Sequence, residues 1–373
     1  MALLPGTTSA PRRVLALLVL MTLMLGGCVA DYPQTIFDSK SEFNDELLNL
    51  FILILWPAAI VFVLVEGWLV YTIWRYRRRP DHKRPEQVHG NTKVEIAWTI
   101  APALVLAIIA VPTVRTIFVT QAPVAEGALK IRVIAHQFWW EYEYPELGIV
   151  AANEFWAPIG QTVGFEMVSV DVIHSFWVPA MGGKRDVVPN HINHLWFTPR
   201  EEGVYLGQCG EYCGDSHANM RLRMIAVSPE RFQQWVAQQK ANAIAPPAVS
   251  EPTAAPTLAA GATPGPTPVP DPAVVHAASV ARGATLVAPC MGCHTIQGNP
   301  MNGNQRIGPN LTHLASRTTF GAGIFELSEE NKDELVRWIR NAPGMKPGVK
   351  MPAFRNINEK DAEAIADYLL TLH

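Results

Sequence analysis

Two long apolar runs, at residues 50–74 and 96–119, constrain the fold of this chain more than any other feature. Each is long enough to cross a bilayer as a helix, which takes roughly 20 apolar residues. The intervening segment, residues 75–93, holds seven Lys and Arg against two acidic residues. A short basic loop of this kind stays in the cytoplasm. We therefore predict a transmembrane hairpin over residues 45–120, with the rest of the chain outside the cytoplasm; two buried helices of a soluble domain are the alternative.

The N-terminus has the layout of a secretory signal. Arg12 and Arg13 precede an apolar stretch that ends in Gly26, Gly27 and Cys28. A charged start, an apolar middle and small residues at the cut are typical of signal peptides. A cysteine directly after the small pair resembles a bacterial lipoprotein signal. We predict a cleaved signal at residues 1–27 and lipidation of Cys28; an uncleaved anchor with an incidental cysteine is the alternative.

The remainder of the chain divides into three parts by its sequence pattern. Residues 125–240 contain short alternating or β-branched segments between turn signals, which predict a β-sandwich or barrel closed by a short amphipathic helix. Residues 241–275 are mostly Ala, Pro, Thr and Gly and predict a linker. Residues 276–373 predict a small helical domain. The net charge of −3 and the lack of a basic patch argue against nucleic acid as a partner.

One short segment, QCGEYCGDSHANM at residues 208–220, carries an unusual set of soft metal ligands. Cys209, Cys213, His217 and Met220 offer two thiolates, an imidazole and a thioether, which together suit copper. A single blue-copper site needs only one cysteine. Two cysteines on one turn can instead bridge two copper ions, so that charge is shared between the metals. A disulfide would need neither the histidine nor the methionine.

A second histidine for this site has to come from elsewhere in the sandwich. His174 is predicted at the end of a strand about 35 residues upstream, where a sandwich could present it. Asp171 is a candidate for orienting a ligand through a hydrogen bond. His191 and His194 are rivals, but their ordinary strand context favours a structural role.

The second chemical motif is CMGCH at residues 290–294. On one helical turn Cys290, Cys293 and His294 converge on one side, and C-x-x-C-H is the attachment signal of c-type haem. A disulfide or redox pair would not explain the adjacent histidine. A later methionine should be the sixth iron ligand, because Met/His ligation raises the potential. The candidates are Met301, Met345 and Met351.

The copper-ligand segment resembles the binuclear copper loop of cytochrome c oxidase subunit 2, whose pattern is C-x-E-x-C-x-x-x-H-x-x-M. The resemblance covers roughly residues 45–240 and includes EIAWTIAPALVLAIIAVPTVRTIF, HQFWWEYEY, DVIHSFWVP and KRDVVPN. It implies a cupredoxin-like fold for residues 125–240. It also implies as copper ligands His174, Cys209, the backbone carbonyl of Glu211, Cys213, His217 and Met220.

The same resemblance assigns roles at the membrane and at the partner contact. It implies that Glu211 helps bind a magnesium ion shared with subunit 1, and that Glu95 lies at the mouth of a proton path in that partner; a carboxylate that merely ends a helix is the alternative for Glu95. Glu66, inside the first apolar run, has no partner that the sequence identifies. Residues 276–373 resemble a class I cytochrome c, with GPNL and VKMPAF as landmarks, which favours Met351 as the iron ligand over Met345.

One departure concerns the aromatic stretch HQFWWEYEY. In the family a tryptophan usually follows His-Gln and receives electrons from soluble cytochrome c, whereas this chain has Phe138, followed by Trp139 and Trp140. All three are candidate electron relays. Direct docking of a soluble donor at Phe138 is placed in doubt.

Together these features predict a multidomain chain: a two-helix transmembrane hairpin, an all-β cupredoxin-like sandwich, and a small all-α cytochrome c domain. The resemblance implies subunit 2 of a bacterial caa-type oxidase, located in the cell membrane with its copper pair and haem c on the outer side. Electrons would enter from cytochrome c or a small blue-copper protein and pass to subunit 1, which reduces oxygen and pumps protons, with subunit 3 as a further partner.

Three other classes fit the sequence less well. A nitrous oxide reductase would need a large catalytic domain, for which this chain has no room. A copper-delivery protein would need neither Met220 nor two membrane spans. A quinol oxidase subunit of the same fold lacks the two cysteines.

Overall fold

The computed structural model of the chain describes residues 32–78, 87, 89–243, 271–298 and 307–373. The predictions of a signal peptide at 1–27 and of lipidation at Cys28 lie outside these residues, as do Met301 and nearly all of the linker. Within the described residues the order of a helical hairpin, a β-sandwich and a helical domain is confirmed.

The hairpin consists of α1 (Glu42–Arg75) and α2 (Thr92–Thr120), both longer than the apolar runs that predicted them. The extra turns are polar and capped. The Ser41 hydroxyl accepts a hydrogen bond from the Asn44 amide at 3.1 Å, and the Asn91 side chain accepts from the second and third amides of α2. The most apolar part of each helix is unburied within the described chain, as expected of surfaces that face lipid or a partner.

The first turn of α1 also fixes the hairpin to the next domain. The Ser41 hydroxyl donates to the Met181 carbonyl at 2.7 Å, and Phe43 is only 2% exposed. Gly182 and Gly183 allow this approach, because a Cβ at either would lie within 3 Å of Asn44 or Phe43. The sandwich is therefore held directly against the end of a membrane helix.

The sandwich domain (residues 129–240) contains two five-stranded sheets, with orders β3-β2-β1-β5-β8 and β4-β10-β9-β6-β7. The strands are β1 Leu129–His136, β2 Trp139–Tyr144, β3 Ile149–Ala152, β4 Glu154–Pro158, β5 Val163–Ser169, β6 His174–Val178, β7 Gly182–Val187, β8 Asn193–Phe197, β9 Gly203–Cys209 and β10 Arg221–Val227. Most neighbours are antiparallel, but β1 pairs parallel with β5 and β4 with β10.

Aromatic side chains from both sheets fill the sandwich core. Trp140, Tyr142, Phe155, Phe165 and Phe176 are fully buried and contact one another edge to face or tilted. The amphipathic helix α3 (Pro229–Lys240) closes one end, as the sequence predicts. This rigid core holds the ends of β6 and β9 next to each other, which positions the site described below.

The helical domain (residues 271–373) consists of α4 (Pro272–Leu286), α5 (Lys332–Met345) and α6 (Glu359–Leu369). The segment Pro272–Gly292, which begins with α4, is long and apolar enough to qualify as a membrane span by composition, but α4 packs closely on α6. A Cβ at Gly283 would lie 1.9 Å from the Ala364 carbonyl. The domain also contains a two-stranded hairpin, β11 (Thr319–Phe320) with β12 (Phe325–Glu326), which the all-α prediction missed because such short strands leave no periodic signal.

Candidate copper and haem centres

The predicted copper ligands converge where β6 begins and β9 ends. Cys209 is the last residue of β9 and pairs with Phe176 of β6. His174 is the first residue of β6, so it lies at one end of a strand as predicted, and the sandwich presents it to the cysteines. The Sγ of Cys209 lies 3.9 Å from His174 Nδ1 and 3.9 Å from Cys213 Sγ. Among the described residues this trio is the one group of three His, Cys, Asp or Glu side chains close enough to share a metal.

The rest of the 208–220 segment wraps around the second sulfur. Cys213 Sγ lies 3.7 Å from His217 Nδ1 and 3.9 Å from Met220 Sδ. The backbone carbonyl of Glu211 lies 3.2 Å from Cys209 Sγ. A short 3₁₀ turn, His217–Asn219, brings the imidazole and the thioether back toward the cysteines. The structure thus brings together all six groups that the resemblance implies.

Neither cysteine is in a disulfide, and the pKa values of the two thiol groups are shifted in opposite directions. A disulfide would place the sulfurs about 2.05 Å apart. The hydrogen bond between the two sulfurs lowers the pKa of Cys209, although burial opposes the shift. The pKa of Cys213 is raised because its neighbour carries the charge and because the site is dry. One buried thiolate next to one thiol is a pair ready to release its second proton when a cation binds.

Asp171 fixes the orientation of the His174 ring, as the sequence predicts for a residue behind a ligand. Its Oδ1 accepts from His174 Nε2 at 2.8 Å. Nε2 therefore carries the proton and Nδ1 presents its lone pair to the sulfurs. Burial would raise the pKa of Asp171, but hydrogen bonds from His174, Gln137 and Val172 outweigh it and hold that pKa well below its usual range. The buried sulfur and nitrogen donors fit soft copper ions.

The other polar residues considered from sequence lie apart from this cluster. His191 and His194 are both exposed, and His194 stands opposite Glu166 in the β5–β8 pair. Glu95 lies in the first turn of α2, where its carboxylate accepts from the Asn91 amide at 3.1 Å. That contact is a helix cap.

The motif CMGCH opens into a cavity of about 330 Å³ in the helical domain. Cys290, Cys293 and His294 all line it, and the His294 amide bonds to the Cys290 carbonyl at 2.9 Å. The rest of the lining is mostly apolar. Two thiols and an imidazole on one wall of an apolar cavity fit a covalently attached haem.

The orientation of His294 also fits iron ligation. Its Nδ1 donates to the Pro309 carbonyl at 2.8 Å, which leaves the lone pair on Nε2. Burial lowers the pKa of His294 and keeps the ring neutral, as a ligand must be. Gly308 packs against this ring, since a Cβ there would lie 2.6 Å from His294 Cε1. The landmark GPNL thus supplies both the space for the imidazole and its hydrogen-bond acceptor.

The two described candidates for the sixth ligand occupy different places. Met351 lines the same cavity as His294. Met345 lies at the end of α5 beside a separate pocket lined by Arg337, Arg340 and Arg355. The position of Met351 suits iron ligation and that of Met345 does not.

The sandwich domain contributes part of the cavity wall, which the sequence did not indicate. Gln137, Phe138, Trp139 and Asn153 all line the cavity. Trp140, by contrast, lies in the sandwich core, where its ring contacts His174 edge to face at 6.1 Å between centroids. The three aromatic relay candidates therefore separate into two that face the haem cavity and one that faces the copper ligands.

Gln137 was not singled out from the sequence, yet it connects the two sites. Its backbone amide donates to Asp171 Oδ2 at 2.7 Å, and its side-chain amide donates to the Cys213 carbonyl at 2.7 Å. A glutamine beside an aromatic run carries no signal of such contacts, because both partners come from distant loops.

Comparison with known families gives matches in three parts of the chain. Residues 14–116 match the transmembrane domain of cytochrome c oxidase subunit II, residues 149–227 match its periplasmic domain, and residues 280–373 match cytochrome c. Cytochrome c oxidase subunit 2 of Alkalihalophilus pseudofirmus is 35% identical over 358 residues, covering 94% of each chain. The subunit of the same name from a Bacillus species is 32% identical over 379 residues, covering 96% of this chain and 97% of its own. Among solved structures, the periplasmic domain of subunit II of cytochrome oxidase from Bradyrhizobium japonicum is 30% identical and matches with a TM-score of 0.31, covering 32% of this chain and 97% of that one.

Proposed function

The chain belongs to the cytochrome c oxidase subunit 2 family, with a C-terminal cytochrome c domain, and from this premise we propose that it is the electron-entry subunit of a haem-copper oxidase. A copper pair and a haem c supply one-electron redox chemistry when bound. The chain takes electrons from cytochrome c or a small blue-copper protein and passes them to subunit 1. Subunit 1 reduces oxygen to water and pumps protons, and subunit 3 is a further partner.

The observation that carries this proposal is the pairing at the 208–220 segment. Two free sulfurs, from Cys209 and Cys213, lie 3.9 Å apart, and each has its own imidazole within 4 Å. That symmetry supports two metal ions with shared thiolates, because a single ion would need only one sulfur and would leave the other buried without a partner. The proposed copper ligands are His174, Cys209, the Glu211 carbonyl, Cys213, His217 and Met220.

The chain's own residues orient the ligands and exclude water. Asp171 holds His174 in the tautomer that presents Nδ1. Cys209 and Cys213 are 3% and 4% exposed, so little solvent reorganises around the site. In the helical domain, Cys290 and Cys293 would hold a haem c covalently, and His294 and Met351 would be its iron ligands.

Further assignments concern the membrane and the partner subunit. We place the basic 75–93 segment in the cytoplasm and both redox domains outside it, by the positive-inside rule. The Glu211 side chain, whose Oε1 accepts from the Tyr212 amide at 3.2 Å, is proposed to share a magnesium ion with subunit 1. Glu95 is proposed at the proton-path entrance, and Cys28 as the lipidated residue.

Metal analysis and absorption spectroscopy of the full chain, purified in detergent, test the proposal. We expect two copper ions per chain, the purple bands of a mixed-valence pair, and a low-spin haem c spectrum. Cys209→Ser should remove the purple bands and leave the haem spectrum, whereas Cys290→Ser should perturb the haem and leave the bands. A single copper without those bands would indicate copper delivery instead. A cystine joining Cys209 to Cys213 in the metallated protein would overturn the proposal.

A further inference from the structure

The helical domain is seated on the sandwich domain, and the contact lies at the mouth of the haem cavity. Phe138 is only 5% exposed and lines that cavity together with its neighbours on the chain. Residues 137–139 and 153–154 of the sandwich domain form the surface that we call the docking face. The contact also includes backbone, because the Arg221 amide of β10 donates to the Ala322 carbonyl of the helical domain at 3.1 Å.

A buried carboxylate of the sandwich domain accepts hydrogen bonds from the helical domain. Glu154 begins β4 and is 3% exposed. Its carboxylate accepts from the Thr318 amide at 3.1 Å, the Thr318 hydroxyl at 2.8 Å and the Thr319 hydroxyl at 2.6 Å. These donors all belong to the helical domain. Hydrogen bonds to an ionised group are about twice as strong as neutral ones, so this set is a specific anchor.

A buried lysine of the helical domain donates a hydrogen bond to the sandwich domain. Lys346 follows α5 and is 1% exposed. Its Nζ donates to the Phe138 carbonyl at 2.7 Å and to the Gly321 carbonyl at 3.0 Å. One acceptor lies in each domain, so the side chain ties the docking face to the wall of the haem cavity.

The docking face is in turn fixed to the copper ligands. Gln137 bonds to the Cys213 carbonyl and to Asp171, and Lys350 of the helical domain approaches Asp171 Oδ2 at 3.4 Å. Asp171 therefore contacts a copper-ligand imidazole, the docking face and the helical domain at once. Displacing the helical domain would break the contact between Lys350 and Asp171, and Asp171 is hydrogen-bonded directly to the proposed ligand His174.

From these contacts we propose that Glu154 and Lys346 form a latch that holds the chain's own helical domain on the docking face. Loss of the contact would remove all three hydrogen-bond donors from the Glu154 carboxylate and one of the two acceptors from Lys346. This inference goes beyond the proposed function, since it holds whether or not electrons pass between the sites.

Amide hydrogen exchange on the purified full chain, resolved to single residues, tests the latch. The informative amides are those of Thr318, which bonds to Glu154, and Arg221, which bonds to Ala322. Both should exchange slowly in the unmodified chain. Glu154→Gln should raise both rates by about 10- to 100-fold, the loss expected for hydrogen bonds to a charged group. Lys346→Met, which keeps the apolar stem, should do the same.

Controls separate undocking from misfolding. Glu146→Gln alters a carboxylate of the same domain whose side chain is 59% exposed, and it should change neither rate. Core amides such as those of Val133 and Ile339 should stay protected in every variant. If Glu154→Gln does not fold, Thr319→Val removes one donor from the opposite side with little change in shape. Flash-reduction measurements should then show slower electron transfer from haem to copper, with both optical spectra unchanged.

Two results would overturn the inference. Rapid exchange of Thr318 and Arg221 in the unmodified chain would mean that the helical domain does not rest on the docking face. Slow exchange that all three latch variants leave unchanged would mean that other contacts hold it.

Discussion

Replacing Gly308 by alanine should selectively disturb His294, the proposed iron ligand. An added Cβ would lie 2.6 Å from His294 Cε1, 2.9 Å from Nδ1 and 3.1 Å from Nε2, so the ring would have to move. The ring is held by its 2.8 Å hydrogen bond to the Pro309 carbonyl. Overpacking costs about 1–3 kcal/mol and a weakened hydrogen bond about 1 kcal/mol more. We therefore expect Gly308→Ala to destabilise the helical domain by about 2–4 kcal/mol.

Denaturant unfolding of the full chain, followed through haem absorbance, measures this effect. Gly292→Ala is the matched control, because a Cβ there meets nothing within 4 Å although the residue lies within the CMGCH motif. We expect the control to change stability by less than about 0.5 kcal/mol. Equal stability of the two variants, with an unchanged haem spectrum in both, would refute the geometric reasoning about the imidazole.

The remaining predictions concern ligand orientation, the sixth ligand and the latch. Asp171→Asn removes the charged acceptor behind a copper ligand and should weaken copper binding about 10- to 100-fold in a chelator competition, whereas the exposed Asp186→Asn should not. Met351→Leu should change the haem spectrum and lower the reduction potential, while Met345→Leu should leave both unaltered; the reverse result would reassign the ligand. Burial lowers the pKa of Lys346 to about 7, so between pH 7 and about 9 the docked chain binds fewer protons than the undocked chain, and docking should tighten as the pH rises. Amide exchange should show this trend in the unmodified chain, corrected for intrinsic rates, and Lys346→Met should abolish it; a pH-independent contact would contradict the assignment.

Much of the chemistry was predictable because it is local in sequence. Cys209, Cys213, His217 and Met220 lie on one short segment, and CMGCH lies on one turn, so residue types and spacing are enough to predict both candidate centres. The membrane helices and most strands follow from hydrophobic periodicity. Among the proposed copper ligands, His174 alone lies far from the others in the sequence. Its place beside the cysteines depends on the pairing of β6 with β9 in the sheet.

The contact between domains was not predictable from these patterns. Glu154 opens a strand, where a carboxylate usually faces water, and Lys346 follows a helix, where a lysine usually does the same. Their burial depends on the contact between the sandwich domain and the helical domain. No periodic pattern records which surfaces of two domains meet, because the contact adds no regular element to either domain.

The docked domain also accounts for the phenylalanine at position 138. The ring lies between glycines of the two domains: a Cβ at Gly214 of the sandwich would lie 3.0 Å from Phe138 Cζ, and one at Gly348 of the helical domain 3.0 Å from Cε2. Space around the ring is therefore limited from both sides, and an indole is larger than a phenyl ring. Because the helical domain closes over this position, the residue here needs a ring that fits between the two domains, and Phe138 satisfies that requirement.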